Sequence, residues 1–496
     1  MKVPQQWIPN KVCLACQVCC RFPSPESDML PRFTKKEIEK LPQSHPVHFS
    51  SLKDYAPEAP ETVLHPATKP YPGATESQCA CLFFEPKTQA CAIYADRPLD
   101  CQLYPFLLTY SPTGKRIFLS IDTQCPFVQE PEHRTSLMQY AEFLRDFLEQ
   151  KEIAAEVSNY PGLIGKENET VFPQYPLSGL TEKLFREMLF GGPPSPALGF
   201  RGLTLKDRQI VEQSFPECRD FADHAFAPLY VFSDLIRFYW KKEDGVLWIV
   251  AEQGNRFFLP APPAAKETTS AHLKEGFRLL SLLNPPGAPL RIEGLSEKQL
   301  SLAVGLGCEC YPKYPEYLYR REDLAGLSGN PYKSKRALCN TFSKKYDFTY
   351  APYQKKDFWD CFHLFKKWQS RKLISGAEDA YAQYLLEDAL FVHRRALLEA
   401  EDMGLEGRLI KTGGEIKGYT FGYALDKTTW CILLEIADLE VKGLAQYLFR
   451  EFCREKKEFE LVSAMDDSGL ERLRRVKESY RPLFKRTPYV AVAEGI

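Results

Sequence analysis

Cysteine spacing at the start of the chain constrains the fold more than any other feature of the sequence. Nine of the 16 cysteines lie within the first 125 of 496 residues, and four form the run Cys13-Leu-Ala-Cys16-Gln-Val-Cys19-Cys20. A Cys-x-x-Cys spacing lets a tight turn direct two thiolates at one ion, and a third cysteine three residues on continues the curl. Thiolates favour soft metals. The run therefore predicts a metal-binding domain.

A second group of cysteines follows after an insertion. Its candidate ligands are Cys81, Cys91 and Cys101, with Cys79 and Cys125 as spare candidates. Proline is tolerated at a first helical position, so a short helical turn is predicted to start at residues 96–98 and to carry Cys101 on its far side. Disulfides are the alternative, but the N-terminus lacks the apolar stretch of a signal peptide, which favours metal. The isolated cysteines are interpreted as small core residues: Cys218, Cys339, Cys361, Cys431 and Cys453.

These motifs, with Cys81-Leu-Phe-Phe, Arg97-Pro98 and Cys101-Gln-Leu-Tyr-Pro-Phe, resemble the YkgJ-type cysteine-cluster family, a zinc- or iron-chelating domain. The resemblance covers about the first 130 residues and implies metal chelation. The predicted ligands are drawn from Cys13, Cys16, Cys19, Cys20, Cys81, Cys91 and Cys101. Adjacent Cys19 and Cys20 side chains diverge, which favours an iron–sulfur cluster or a two-metal site over a single zinc ion. Arg21 and Arg97 could offset the thiolate charge.

Length and composition indicate an ordinary globular protein of three or four domains. The formal charge is -1, 44% of the residues are hydrophobic, and no apolar run approaches the ~20 residues needed to cross a membrane. A cytoplasmic location is expected. The predicted domains are a cysteine-cluster domain (1–130), a helical connection and linker (131–196), and two further domains of alternating helices and strands (197–328 and 329–496).

Local patterns predict the helices, strands and loops within these domains. Residues 42–72 contain seven prolines and predict a loop without regular structure. Leu137, Ala141, Leu144 and Leu148 repeat at helical spacing, and residues 191–196 are interpreted as a linker. Beyond it, helices are predicted at 206–215, 229–240, 270–283 and 297–304, a hairpin at 246–250 and 256–259, and a strand at 290–293.

The last third predicts a meander followed by helix, strand and helix. The strands are predicted at 408–411, 416–424 and 430–436, the helices at 444–456 and 470–480, and the last strand at 459–464. This order resembles the GNAT acyltransferase fold, which implies a donor bound where two strands splay, with its phosphates at the start of the next helix. Gly443 matches the glycine of that phosphate loop, but Glu440 would repel a pyrophosphate and disfavours acetyl-CoA. The predicted fold class is α+β, a small Cys-rich metal-binding domain followed by two tandem GNAT-like α/β domains.

Two further segments, Tyr319 to Arg336 and Leu473 to Pro482, resemble the C-terminal catalytic domain of lysyl-phosphatidylglycerol synthases. That family has two tandem GNAT-like folds and transfers an amino acid from aminoacyl-tRNA to an acceptor. This chain departs from the family in having Glu435-Ile436-Ala437 for Glu-Lys-Ala, and Ser463-Ala464-Met465 for Asn-Arg-Glu, while it keeps Asp467 and Gly469. These departures put lysine specificity in question.

The candidate site residues follow from the chemistry of aminoacyl transfer, which needs positioning, a base and an oxyanion contact rather than an enzyme nucleophile. Glu435 and Asp467, with Asp466 as second choice, are predicted to hold the ammonium group or act as base. Lys477 and Arg474 are predicted to bind phosphate or the oxyanion. Lys333, Lys335 and Arg336, together with Lys344 and Lys345, form a basic stripe that could contact tRNA, or equally a solvated helix face.

Three functions remain open on the sequence. The first is a cytosolic aminoacyl-tRNA-dependent transferase with an N-terminal iron–sulfur or zinc site and an unidentified small-molecule, protein or lipid acceptor. The second is a metal or redox module whose GNAT-like half only binds a partner. The third is an acetyl-CoA-dependent N-acyltransferase.

Overall fold

The chain folds into two compact units, Met1–Leu189 and Phe190–Ile496. The computed structural model describes residues 2–3, 7–16, 18–25, 27, 29–41, 49–51, 63–71, 79–110, 116–166, 170–177, 179–181, 183–184, 198–215, 219–253, 256–375 and 380–493. Helices and small sheets occur in both units, as the α+β prediction requires.

The first unit contains short helices around several small sheets. Its helices are α1 (Asn10–Ala15), α2 (Lys35–Ile38), α3 (Leu99–Leu103), α4 (Pro126–Gln129), α5 (Arg134–Leu148) and α6 (Lys151–Ser158). Its strands are β1 (Arg21–Phe22), β2 (Phe49–Ser51), β3 (Leu64–Pro66), β4 (Thr68–Pro70), β5 (Cys79–Cys81), β6 (Phe84–Glu85), β7 (Ala90–Cys91), β8 (Phe106–Tyr110), β9 (Ile117–Asp122), β10 (Gly165–Lys166) and β11 (Val171–Pro176). The sheets have the orders β1-β5-β4, β10-β8-β9-β11, β2-β3 and β6-β7.

Two sequence predictions in this unit have clear outcomes. The helix predicted from the leucine and alanine spacing is α5, and its residues Leu137, Ala141, Leu144 and Leu148 are buried. The prediction of an irregular segment over residues 42–72 is wrong for its described part, which forms β2, β3 and β4. Prolines 66 and 70 end β3 and β4, where a missing N–H is tolerated. The predicted linker at 191–196 lies outside the described residues.

The second unit begins with a four-stranded sheet of order β12-β13-β14-β15. Its elements are β12 (Arg201–Gly202), α7 (Arg208–Ser214), α8 (Phe226–Val231), β13 (Arg237–Glu243), β14 (Val246–Gln253), β15 (Arg256–Phe258), α9 (Ser270–Leu283), β16 (Leu290–Leu295), α10 (Glu297–Gly305) and β17 (Glu309–Pro312). The predicted hairpin is confirmed as β14 and β15. The helix predicted over 229–240 is wrong beyond Val231, because Phe238 to Trp240 pair with β14 and bury their rings in the sheet core.

A seven-stranded sheet dominates the rest of the second unit. The elements are β18 (Glu316–Arg320), α11 (Arg321–Gly326), α12 (Lys333–Lys345), β19 (Phe348–Pro352), α13 (Phe358–Ser375), α14 (Ala380–Met403), β20 (Glu406–Thr412), β21 (Glu415–Ala424), β22 (Thr429–Ala437), α15 (Leu444–Glu455), β23 (Leu461–Ser463), α16 (Glu471–Glu478), β24 (Phe484–Arg486) and β25 (Tyr489–Ala493). The strand order is β19-β20-β21-β22-β23-β18-β24. The predicted meander and the helix, strand and helix after it are confirmed.

The two halves of the second unit exchange strands. β18 precedes residue 329 yet lies inside the seven-stranded sheet between β23 and β24, while β25, at the end of the described chain, pairs with β16 and β17. A cut between residues 328 and 329 would therefore separate paired strands, so the predicted halves are interlocked. Among the described helices, none combines the length and the hydrophobicity that a membrane crossing requires.

Candidate functional site

Six of the seven predicted metal ligands line one cavity in the first unit. The cavity has a volume of about 340 Å³, and its cysteines are Cys13, Cys19, Cys20, Cys81, Cys91 and Cys101. Its remaining wall is largely apolar and aromatic, including Phe33, Phe83, Phe84 and Tyr104, with Arg97 as its cationic member. The sequence separates these cysteines by up to 88 positions (101 − 13), and the fold brings them to a common surface.

Short local structures place these thiols. The Cys81 amide donates to the Cys20 carbonyl at 3.0 Å, which continues the pairing of β1 with β5 and sets the two cysteines side by side. Cys91 ends β7 of the small hairpin with β6. Cys101 lies in α3, which begins at Leu99, later than the predicted start at residues 96–98, because residues 94–96 form a separate 3-10 turn and Pro98 caps α3.

The remaining cysteines of this unit lie outside the cavity wall. The Cys16 sulfur accepts a hydrogen bond from the Val18 amide at 3.4 Å, so its predicted ligand role stays a prediction. The Cys79 thiol donates to the Phe22 carbonyl at 3.5 Å. Cys125 immediately precedes α4 and is buried. The adjacent thiols of Cys19 and Cys20 are 4.0 Å apart.

Crowding of thiols governs the electrostatics of the cavity. Burial raises the pKa of Cys81 to about 12, and burial also raises the pKa of Cys101 well above its ordinary value. The pKa of Cys20 is lowered, first by the hydrogen bond with Cys19 and then by the positive charges of Arg97 and Arg21. The two arginines predicted to offset thiolate charge therefore both act on the central cysteine of the group.

The donor chemistry of this cavity fits zinc or iron. Convergent cysteine sulfurs are the ligands that zinc and iron–sulfur clusters use. Within the described residues, no three Cys, His, Asp or Glu side chains already surround a common point. The thiols thus share a wall, and coordination of one ion would require their side chains to turn toward it.

A second candidate site lies where two parallel strands of the second unit separate. β22 and β23 pair in parallel from Thr429 opposite Leu461 to Cys431 opposite Ser463. β23 ends there, whereas β22 continues to Ala437. Beyond the end of a strand, backbone groups of its longer neighbour lose their partners on that side. The splay implied by the GNAT resemblance would lie at these residues, and its role in donor binding stays a prediction.

Glu435 lies on the part of β22 beyond its ladder with β23, opposite Thr420 of the neighbouring strand β21. Its Oε2 atom is buried and has no hydrogen-bond partner within the described part of the chain. Burial raises the pKa of this carboxyl to about 8. Its negative charge in turn acts on Tyr480 and Cys453. A buried carboxyl without a partner costs stability, and such groups concentrate at functional sites.

Lys477 projects from α16 toward the end of β23. Its Nζ donates to the Ala464 carbonyl at 2.5 Å and to the Asp466 carbonyl. Burial lowers the pKa of this lysine to about 8, against the opposing effect of Asp466 and Asp467. An ammonium group has three donors, so two carbonyls leave one N–H for a ligand.

Asp467 and Arg474 form an ion pair, and both oxygens of the Asp467 carboxylate accept hydrogen bonds. Asp467 Oδ2 accepts from the Tyr317 hydroxyl at 2.6 Å and from Arg474 Nε at 3.2 Å, and Oδ1 accepts from the Gly469 amide at 3.0 Å. Although burial opposes it, these hydrogen bonds hold the pKa of Asp467 below its ordinary value. This arrangement favours a role in shaping the turn before α16, and the catalytic and phosphate roles of the two residues stay predictions.

Sequence reasoning missed Glu316, which lies on β18 beside the strand junction. Its Oε1 accepts from the Ala222 amide at 2.8 Å, and its Oε2 accepts from the Ser463 hydroxyl at 3.4 Å. Burial, assisted by the nearby Asp223 charge, raises the pKa of Glu316 to about 8. The local signal was one acidic residue in a run of aromatic strand residues, which does not reveal that β18 would enter the large sheet beside β23.

The loop before α15 is packed rather than open. Gly443 has φ +86, and a Cβ built there would lie 2.2 Å from the Leu338 carbonyl oxygen of α12. Glu440 is not the isolated carboxylate expected to repel a phosphate, because Arg371 and Lys367 pair with it at 2.6 and 3.4 Å. Gly443 is thus required for close helix packing, and its predicted phosphate role stays a prediction.

The predicted basic stripe on α12 divides into different environments. Lys333 is exposed. Lys335 lies with its ammonium 4.5 Å from the centroid of the Tyr480 ring, and burial lowers its pKa. Arg336 donates to the carbonyls of Leu327 and Gly329. Only Lys335 reaches the surroundings of Glu435, through Tyr480.

The chain matches two protein-family models. Residues 218–492, more than half of the chain, match the model described as "Phosphatidylglycerol lysyltransferase, C-terminal". Residues 12–127 match the CxxCxxCC model, described as a "Putative zinc- or iron-chelating domain". Both resemblances predicted from the sequence are confirmed. No curated protein matches the chain.

A solved structure shares the fold of about 60% of this chain. A conserved protein of unknown function from Bacteroides thetaiotaomicron is 23% identical, with 60% of this chain and 99% of that chain covered and a TM-score of 0.53. L-PGS from Bacillus licheniformis is 18% identical, with coverages of 52% and 84% and a TM-score of 0.38. The predicted fold class, a Cys-rich domain followed by GNAT-like α/β domains, is confirmed.

Proposed function

The chain belongs to the phosphatidylglycerol lysyltransferase C-terminal family, and from that premise we propose that it transfers an aminoacyl group from aminoacyl-tRNA to a nucleophilic acceptor. Membership confirms the predicted acyltransferase class. The observation that carries the proposal is the buried Oε2 atom of Glu435, which has no hydrogen-bond partner among the described residues and lies on β22 beyond the end of its ladder with β23.

An aminoacyl ester offers the partner that Glu435 lacks. Its α-amino group is a cation near neutral pH, and pairing with a cation stabilises the charged form of a buried carboxyl. Because burial raises the pKa of Glu435 to about 8, binding of an ammonium group would displace the carboxyl proton. Glu435 would thereby select a charged tRNA over an uncharged one.

The transfer step needs no enzyme nucleophile. A lone pair on the acceptor oxygen or nitrogen attacks the ester carbonyl carbon, and the bond from that carbon to the ribose oxygen breaks. The acceptor proton passes to a base and then to the departing ribose oxygen. Lys477, whose third N–H is uncommitted to Ala464 and Asp466, would stabilise the oxyanion.

The first unit adds metal binding to this proposal. The thiols of Cys13, Cys19, Cys20, Cys81, Cys91 and Cys101 would hold zinc or an iron–sulfur cluster, which would supply a covalent-like cross-link between distant segments. A cytoplasmic location agrees with reduced thiols and with a supply of charged tRNA. The acceptor, a small molecule, a protein or a lipid headgroup, is left open.

One binding experiment tests the donor. Full-length protein, purified anaerobically, is titrated with charged tRNA, uncharged tRNA and acetyl-CoA, and Glu435→Gln is compared with Glu415→Gln. Glu415 is a suitable control because its exposed carboxylate pairs with Lys417 at 2.7 Å on the neighbouring strand. We expect the wild type and E415Q to prefer charged tRNA about tenfold or more, as pairing with a buried charge is worth over 1.4 kcal/mol. E435Q should lose the preference.

Two results would reject the proposal. Binding of acetyl-CoA without tRNA would indicate an acetyltransferase. Binding of neither would support the alternative in which the GNAT-like half, with Ser463-Ala464-Met465 in place of the family's Asn-Arg-Glu, only docks a partner for a metal or redox module.

A further inference from the structure

A basic groove lies in the first part of the second unit, on elements that do not contribute to the transfer site. Its volume is about 360 Å³. It is lined by Gly199, Arg201, Ile210, Gln213, Trp240, Lys241 and Lys242. β12 is the edge strand of the four-stranded sheet, and it pairs with β13 so that Arg201 lies opposite Trp240.

Two basic side chains of this groove lie against aromatic rings. The Arg201 guanidinium lies 3.8 Å from the centroid of the Trp240 ring, and the Lys241 ammonium lies 5.3 Å from that of Phe200. Cation–π contacts hold long basic side chains in place and lower the entropy that binding would otherwise cost. Basic side chains held in this way can contact phosphate groups of a nucleic acid.

The groove keeps a net positive charge. The Lys241 ammonium forms an ion pair with Glu243 at 2.9 Å. Among the described residues, the Lys242 ammonium contacts only the neutral Ser214 hydroxyl, at 3.1 Å. Neither Arg201 nor Lys242 forms an ion pair with another described residue. Two cations in the groove therefore have no carboxylate to neutralise them.

Trp240 adds an unmet donor. Its ring is only 2% exposed, yet its indole N–H has no acceptor among the described residues. A buried N–H without an acceptor costs free energy that a ligand oxygen could recover. The groove thus combines positive charge with an unused donor in its wall.

We propose that this groove binds the phosphate backbone of the donor tRNA, at a contact separate from the site that holds the aminoacyl group. The occupant is assigned as RNA rather than an anionic membrane, because the cations line a concave groove instead of surrounding an exposed apolar face. The inference rests on the proposed aminoacyl-tRNA donor and names a second surface that the donor must contact.

The test measures binding of uncharged total tRNA to the full-length protein as a function of salt. The groove variant is R201A/K242A, and the matched control is K274A/K298A, which removes two exposed lysines from α9 and α10 of the same half. We expect the groove variant to bind about tenfold more weakly and to lower the slope of log K against log salt by about two, since each lost phosphate contact lowers it by about one. The control should match the wild type.

The remaining outcomes are decisive in the other direction. Equal losses in both double variants would show a general effect of net charge and overturn the inference. Wild-type levels of tRNA binding by R201A/K242A would overturn it while leaving the donor proposal intact. Failure of the wild type to bind any tRNA would reject both. Loss of binding to phosphatidylglycerol vesicles, with tRNA binding unchanged, would assign the groove to a membrane surface.

W240F, which keeps an aromatic ring in the core and removes the indole N–H, should show a smaller loss of tRNA binding than the double variant.

Discussion

The two units bury ionisable groups in opposite ways. In the first unit, thiols crowd against other thiols, and mutual burial raises the pKa of Cys81 and Cys101. In the second unit, Lys477 is held by backbone carbonyls, and Glu435 and Glu316 occupy fixed positions on strands of one sheet. We predict that a bound metal ion stabilises the thiol site, whereas strands of the sheet position the two carboxyl groups. The comparison predicts that ligand removal should affect only the first unit.

Metal removal should give the largest effect. Apparent binding free energies of structural zinc are on the order of 10 kcal/mol, so chelation should lower the unfolding temperature of the first unit strongly. Calorimetry of full-length protein with and without chelator should show one transition that moves and one that stays. C101S should reproduce the shift and reduce the bound metal, whereas C79S, whose thiol contacts the Phe22 carbonyl outside the cavity wall, should retain metal. Identical thermograms, or protein purified without metal, would contradict the contrast.

In the second unit, the free energy of unfolding should depend on pH through Glu435. The ordinary pKa of this carboxyl is 4.5, and burial raises its pKa to about 8 in the folded protein. Between pH 4.5 and pH 8, the folded state therefore retains a proton that the unfolded state has released. Stability from this group is therefore complete below about pH 4.5 and is lost as the pH rises through 8. E435Q should be more stable than the wild type by roughly 3 kcal/mol at pH 8.5 and equal to it at pH 4.

Urea unfolding at both pH values measures this difference. E415Q serves as the control, since Glu415 is exposed and its pKa is lowered by its hydrogen bond to Lys417. A stability gain of E435Q that does not change with pH would mean that the carboxyl is not buried in its protonated form.

A steric test probes how closely the second unit is built. G443A should cost roughly 3 kcal/mol, because the added Cβ meets the Leu338 carbonyl oxygen at 2.2 Å and φ is +86. G413A, at φ +58 with open space around its Cβ, should cost only about 1 kcal/mol. The urea midpoints of the two variants give the comparison directly. Equal costs would show that α12 can move away from Gly443.

Alkylation of the cysteines should be the smallest of these effects, and in the second unit it should be absent. Cys339, Cys361, Cys431 and Cys453 are fully buried, so iodoacetamide should leave them unmodified before and after chelation. Cys13 and Cys91 of the first unit are partly exposed and should become modified once the metal is removed. Peptide mass spectrometry of the labelled native protein reads out each site. Modification of Cys453 in native protein would indicate local opening beside Glu435.

Particular residues show how far the sequence could be interpreted. The four single cysteines that are described proved to be core residues, as interpreted, and Cys218 lies outside the described residues. The helix at Ser270–Leu283 follows its amphipathic period at both ends. The sequence predicted a helix at Phe238 to Trp240, where the structure has a strand. A run of apolar residues is compatible with both helix and strand until its partner strand is known.

The sequence by itself determined the local chemistry: the thiol run, the helix and strand periods, the motifs of both families and the presence of Glu435 on a strand of the meander. Only the tertiary structure decided which groups meet. It brought Cys101 to Cys20, inserted β18 so that Glu316 reaches Ser463, packed Leu338 against Gly443 and paired Glu440 with Arg371. The physical reason is that periodicity and spacing encode contacts within a few residues, whereas pairing between distant strands and burial of charge depend on the whole fold.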